Sequence, residues 1–249
     1  VPTFFVRKEC VSGDTAVLEG SEAGHMLRSL RLRTGDSFHA FDEEGNRYRM
    51  RILEATSRSL RAEVLETSPP DEPPAVPLTL LVGLPKADKM DFILEKATEL
   101  GADRVVVFRS SRTIPRPDAK DERKRLARWE RIALAAAKQC GAGRVPRVEG
   151  ILPWPAALAA ASSDEGKVVF YEGVGSFGLK RVLRGLSAAR SVALLVGPEG
   201  GFSEDEVAEA EGAGFVRAGL GKRILRVETA AVAVLAMVTY HFETDGKGD

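Results

Sequence analysis

Along the chain the pattern of apolar positions changes once. Up to residue 68 it comes in short runs parted by turn material: Phe4 to Val6, Thr15 to Leu18, Ser37 to Phe41, Tyr48 to Ile52 and Leu60 to Val64, with Asp42-Glu43-Glu44-Gly45-Asn46 as one of the turns. Short segments bounded by Gly, Asn and Asp read as strands. One helical stretch, Glu22 to Leu30, interrupts them, and residues 1–70 are predicted to form a small β-barrel. The seam is Ser68-Pro69-Pro70-Asp71-Glu72-Pro73-Pro74, with Pro77 close behind. Four prolines in six positions suit neither a helix nor a central strand, so a stiff linker is expected.

After the seam, strands alternate with helices. Strands are predicted at Leu78 to Val82, Val105 to Phe108, Lys167 to Tyr171, Val192 to Val196 and Phe215 to Ala218. Helices are predicted at Lys89 to Leu100, Lys120 to Cys140, Lys180 to Leu186, Ser203 to Glu211 and Glu228 to Phe242. Ser203 with Glu206 three residues on forms a capping box. Uninterrupted apolar strands between helices mean a parallel sheet covered on both faces, here over residues 75–249. The last helix is apolar almost all round, so its burial requires its own domain or a second subunit.

Composition narrows the class. No apolar run reaches the roughly 18 residues of a membrane span, and the opening Val1 to Arg7 lacks the layout of a signal peptide. Cys10 and Cys140 are far apart, and His25, His39 and His241 are scattered. The expectation is a cytoplasmic chain with reduced thiols and no metal. Net charge is zero, yet Arg104 to Arg147 holds thirteen Lys or Arg against four Asp or Glu, and Arg28, Arg31 and Arg33 cluster. Unpaired like charges repel unless an anionic partner compensates them, which points to nucleic acid.

Two segments carry candidate chemistry. Leu194 to Ser203 runs from a buried strand through Gly197-Pro198-Glu199-Gly200-Gly201 into a capped helix. Leu220-Gly221-Lys222-Arg223-Ile224-Leu225-Arg226-Val227-Glu228-Thr229-Ala230 leads into the final helix. Ligands bind beyond the carboxyl ends of parallel strands, where glycine lets backbone approach closely. Arginines beside a helix N-terminus oppose the helix dipole, so a structural reason, such as an Arg226–Glu228 pair, or a functional one is needed. Gly173-Val174-Gly175-Ser176-Phe177-Gly178 also satisfies a dinucleotide-binding pattern, with Glu199 at the distance of a ribose-binding acid. A nicotinamide-dependent oxidoreductase therefore stays open at this point. Asp88 and Asp91, among Lys86 and Lys89, read as solvated helix ends.

The two glycine-bearing segments together resemble the RsmE family of small-subunit (16S) ribosomal RNA uridine-N3 methyltransferases, in the SPOUT superfamily. Lys86, Lys89-Met90, Lys96 to Gly101, Arg112, Gln139-Cys140-Gly141, Arg144 and Pro146 extend the likeness, as do His25 to Arg28, Leu30-Arg31 and Gly35-Asp36. The resemblance implies a trefoil-knotted α/β methyltransferase domain over 75–249, preceded by a PUA-like RNA-binding barrel over 1–70. It implies S-adenosylmethionine held by Tyr171, Glu172 and Gly173, by Gly197, Glu199, Gly200 and Gly201, and by Leu220, Gly221, Ile224 and Leu225. It further implies a homodimer joined through knot helices, acting on ribosomal RNA or the small subunit. Uridine N3 is a poor nucleophile while protonated, so an arginine that stabilises its anion is expected to be catalytic: Arg226 first, Arg223 second. Glu228 is read as a helix cap rather than a general base, and Cys140 is assigned no chemistry. The RNA-binding candidates are Arg28, Arg31, Arg112, Arg116, Gln139 and Arg144. A non-catalytic ribosome-binding or assembly factor of the same fold is the alternative.

Overall fold

The computed structural model describes residues 3–56, 58–70, 74, 76–173 and 175–244. Linker residues 71–73 and 75, and Val174 of the dinucleotide-like pattern, lie outside the described residues. Two compact units result: Val1–Glu72 with Ala137–Val145, and Pro73–Ala136 with Pro146–Asp249.

The first unit comprises β1 (Thr3–Phe5), β2 (Val11–Ser12), β3 (Thr15–Glu19), α1 (Gly20–Gly24), β4 (Ser37–Phe41), β5 (Arg47–Ala55) and β6 (Ser59–Ser68). They form one sheet in the order β1-β4-β5-β6-β3-β2, parallel only between β1 and β4. The strand period of two makes its core. In β5, Tyr48, Met50 and Ile52 are buried against Phe4, Phe38 and Leu60. The outward positions between them pair across strands, Arg51 with Glu63 at 2.6 Å and Arg61 with Glu54 at 2.7 Å. With β1 and β2 as its two edges, the sheet is a half-barrel rather than a closed one.

The predicted helix from Glu22 to Leu30 is α1 followed by a wide π turn, His25–Ser29, where the Leu30 N–H reaches His25 O at 3.1 Å. That turn buries Met26 and leaves Arg31 in the left-handed region, φ 56°. The Ala137–Val145 segment joins this unit through a Lys138–Glu22 ion pair and a hydrogen bond from Arg47 to Gly141 O.

The second unit runs β7 (Leu78–Gly83), α2 (Lys89–Glu99), β8 (Arg104–Arg109), α3 (Ala119–Cys140), β9 (Arg147–Pro153), α4 (Trp154–Ala160), β10 (Gly166–Phe170), β11 (Phe177–Gly178), α5 (Leu179–Gly185), β12 (Val192–Val196), α6 (Glu204–Gly212), β13 (Val216–Gly219) and α7 (Val227–Thr244), the last residues of α3 grouping with the first unit. Its seven strands lie in the order β11-β13-β10-β12-β7-β8-β9, and every pairing is parallel. Every residue of β7 and β12 is buried, as their unbroken apolar runs require. Phe108, Trp154 and Phe202 pack together on one side, with the Phe108 and Phe202 rings stacked at 6.2 Å. Because β10, β12 and β13 run parallel, the loops that follow them open at one edge of the sheet, where the candidate site lies. Among the described residues no helix is long and apolar enough to cross a membrane.

Candidate functional site

The loops after β10, β12 and β13 and the start of α7 enclose a cavity of about 670 Å³, within the usual range for small-molecule sites. Its lining includes all eleven residues named from the sequence as cofactor-binding: Tyr171, Glu172 and Gly173; Gly197, Glu199, Gly200 and Gly201; Leu220, Gly221, Ile224 and Leu225. Arg223, Arg226, Arg112 and Lys89 also line it. Phe170, Val196, Ala218, Val227 and Ala230 give it apolar walls.

Glycine is needed here for close approach. A Cβ on Gly200 would stand 2.9 Å from Arg112 Cβ and 3.0 Å from Arg112 O, and one on Gly173 would strike the Tyr171 ring at 2.0 Å. Gly221 meets nothing within 4 Å, but its φ of 104° is one that side chains rarely adopt. Gly83, at the end of β7, escaped the sequence reading. A Cβ there would lie 2.4 Å from Pro198 Cδ, so β7 and the Gly197–Gly201 loop pack backbone to backbone.

The loop is held from both ends. Ser203 caps α6 with its side chain on the Glu206 N–H at 3.2 Å, while Glu206 Oε2 accepts the Ser203 N–H at 2.9 Å. The other oxygen of the buried Glu206 accepts the Ser111 N–H at 2.6 Å, tying in the loop after β8. Arg112 Nη1 donates to Gly200 O at 3.2 Å. Tyr171 donates its hydroxyl to Glu204, which raises its pKa.

Glu199 does not wait for a ribose. Its Oε1 accepts the Lys86 N–H at 3.0 Å and lies 3.0 Å from Lys89 Nζ. Burial would lift its pKa, but these partners outweigh burial and hold the carboxyl below the ordinary glutamate range. Lys89 Nζ is also 3.1 Å from Glu228 Oε2, so the Arg226–Glu228 pair considered from the sequence gives way to Lys89–Glu228. Glu228 is absent from the cavity lining, which Lys89 occupies beside it. Arg223 and Arg226 are exposed and have no carboxylate partner among the described residues. Asp88 and Asp91 pair with Arg128, as helix-end carboxylates.

The RNA-binding candidates divide between the units: Arg28, Arg31, Gln139 and Arg144 in the first, Arg112 and Arg116 in the second. All six are exposed, and none of the arginines has a carboxylate partner among the described residues. Much of the remaining basic stretch is neutralised, Arg109 by Glu122, Arg128 by Asp88 and Asp91, and Arg147 by Glu149. Within that stretch Arg112, Arg116 and Arg144 share the lack of a carboxylate partner with Arg123, Arg125 and Arg131 among the described residues.

A cavity with apolar walls, glycine-lined backbone and an exposed carboxylate at Glu172 fits a flat base with a cationic tail, such as S-adenosylmethionine. Comparison with known proteins agrees. The RNA methyltransferase domain family matches residues 71–239, and the RNA methyltransferase PUA domain family matches 18–65. Ribosomal RNA small subunit methyltransferase E of Mycobacterium bovis is 32% identical over 238 residues, 94% of this chain and 90% of that one. Its namesake in Bacillus subtilis is 29% identical over 241 residues, 95% and 94% of the two chains. The crystal structure of ribosomal RNA small subunit methyltransferase E from Neisseria gonorrhoeae bound to S-adenosyl methionine superposes with a TM-score of 0.86, at 31% identity over 96% of this chain and 97% of that one. With a glycine-lined cavity at the sheet edge and matches spanning nearly its full length, the chain belongs to the ribosomal RNA small subunit methyltransferase E family.

Proposed function

We propose that this chain methylates N3 of a uridine in small-subunit ribosomal RNA, with S-adenosylmethionine as donor. The observation that carries this reading is the convergence of three loops on one cavity with two unpaired arginines at its rim. Bound there, the donor supplies an electrophilic methyl group on a positively charged sulfur. Tyr171 to Gly173, Gly197 to Gly201 and Leu220 to Leu225 bind and orient it, largely through backbone. Arg226, with Arg223 behind it in rank, stabilises the negative charge that the acceptor gains as its N3 proton passes to solvent water at the exposed rim, before N3 takes the methyl group from the sulfur. Glu228, engaged by the Lys89 ammonium, is not assigned as the proton acceptor. N3 lies on the pairing edge, so the target base must be unpaired or flipped out.

In this reading residues 1–70 form the RNA-binding domain and 75–249 the knotted methyltransferase domain, working in the cytoplasm. The trefoil knot is supported by family membership. A homodimer is supported by α7. One side of that helix is buried, yet Thr229, Met237 and Tyr240 stay exposed, with Ala233 and Ala236 half-buried beside them. Arg28, Arg31, Arg112, Arg116, Gln139 and Arg144 are proposed to grip RNA. The test is incubation with small subunits and labelled methyl donor, followed by mapping of the nucleoside. Label in 3-methyluridine is expected; label in another nucleoside, or none, contradicts the reading.

A further inference from the structure

Lys89 opens α2 and lines the cavity, yet its ammonium faces two carboxylates from two other elements. Glu199 belongs to the loop after β12, and Glu228 to the first turn of α7, two residues past Arg226. The Nζ distances are 3.0 and 3.1 Å, and the three side chains are only 28%, 25% and 19% exposed. The pair of ion contacts raises the Lys89 pKa, with Glu199 the larger cause. The turn before α2 is held to the same loop, because Lys86 donates its N–H to Glu199 and the next residue, Ala87, keeps a left-handed φ of 52°. A non-glycine residue persists there only where its surroundings over-determine it. A solvated lysine at a helix start would show none of these features. Without its charge, two partly buried carboxylates would face one another with little screening.

We propose that Lys89 is a positioning residue, whose ammonium sets the separation between the loop that holds the methyl donor and the turn that carries Arg226. The donor pocket and the acceptor-facing arginine are thereby kept in one register. This rests on the methyltransferase reading above. Lys89 does not itself touch the reacting atoms.

The test compares Lys89→Met, Lys89→Arg and the double variant Lys89→Met/Glu228→Gln in the full chain. Calorimetry without RNA gives the Kd for S-adenosylmethionine, and single-turnover assays at saturating donor give the transfer rate. Lys89→Met is expected to weaken donor binding about tenfold and to slow transfer at saturation by a similar factor. Lys89→Arg is expected to recover most of both, and the double variant to recover donor affinity, because one of the two repelling charges is gone. Donor affinity and saturated rate both within twofold of the parent chain, whatever the change in melting temperature, would overturn the proposal. So would a double variant that binds donor no better than Lys89→Met. If Lys89→Met does not fold, Glu228→Gln alone serves: donor affinity should stay within twofold while transfer slows, and an unchanged rate overturns the proposal. A parent chain that binds donor but transfers no methyl fails the methyltransferase reading, while the affinity comparison still judges Lys89. A parent chain that binds no donor fails both.

Discussion

In the proposed mechanism the chemistry falls to Arg226 at the cavity rim and donor binding to the backbone of the three loops. Arg226 lines the cavity, is exposed and has no carboxylate partner among the described residues, so its charge is available to an acceptor. Arg226→Ala is expected to lower the transfer rate about a hundredfold or more, the scale seen when a donor to a developing anion is lost. The Kd for S-adenosylmethionine should stay within about twofold, because in the proposed arrangement backbone groups rather than this side chain hold the donor. Lost donor binding with an unchanged saturated rate would remove Arg226 from its role. That Gly200, Gly221 and Arg226 line the cavity was legible from the sequence because the cues are local: a glycine between a strand and a helix, an arginine at the wrong end of a dipole. Lys89 was not legible as more than a helix-end lysine. Its partners Glu199 and Glu228 lie far along the chain, and only the sheet order brings them together.

Elements show the same division. β7 and β12 were plain in the sequence because strands buried on both faces are continuous apolar runs. β9 and α4 were not read, since Glu149 and Gly150 interrupt the strand's apolar pattern and Pro153 and Pro155 flank the helix start. The small barrel and the helical stretch over Glu22 to Leu30 are both present, with detail that periodicity does not carry. The sheet keeps two edges, and a π turn absorbs one residue before Arg31. The capping box of α6 was legible, but not that Glu206 also holds Ser111. Glu206→Ala leaves the Ser203 and Ser111 N–H groups without their acceptor and is expected to cost about 2–3 kcal/mol in denaturant unfolding. A change below about 0.5 kcal/mol would mean that these bonds are replaced by water.

The Glu199 link has a pH dependence of definite sign. A carboxyl whose pKa is lowered by folding contributes stability that is complete above its unfolded pKa and is lost as pH falls through the folded one. Glu199→Gln should therefore be less stable than the parent chain at neutral pH, with the gap closing below the ordinary glutamate range. A gap that does not change with pH would contradict this.

At the scale of the whole molecule, charge and symmetry remain to be tested. Met237→Asp, on the exposed strip of α7, is expected to shift the mass in solution from dimer to monomer by light scattering. A parent chain that is already monomeric would exclude the homodimer. Net charge of zero masks the proposed RNA-binding residues, because the paired cations of the basic stretch dilute the unpaired ones in any count along the sequence. The central claim is that the Gly197–Gly201 and Leu220–Leu225 loops form one donor pocket. Calorimetric titration of S-adenosylmethionine into the parent chain and into Gly221→Val tests it most directly, since the variant puts a branched side chain at a φ of 104°, where its first carbon meets nothing within 4 Å. One donor molecule per parent chain is expected, with binding weakened at least about tenfold in the variant and no heat from NAD in either. Equal binding by both chains, or heat from NAD alone, would contradict the account.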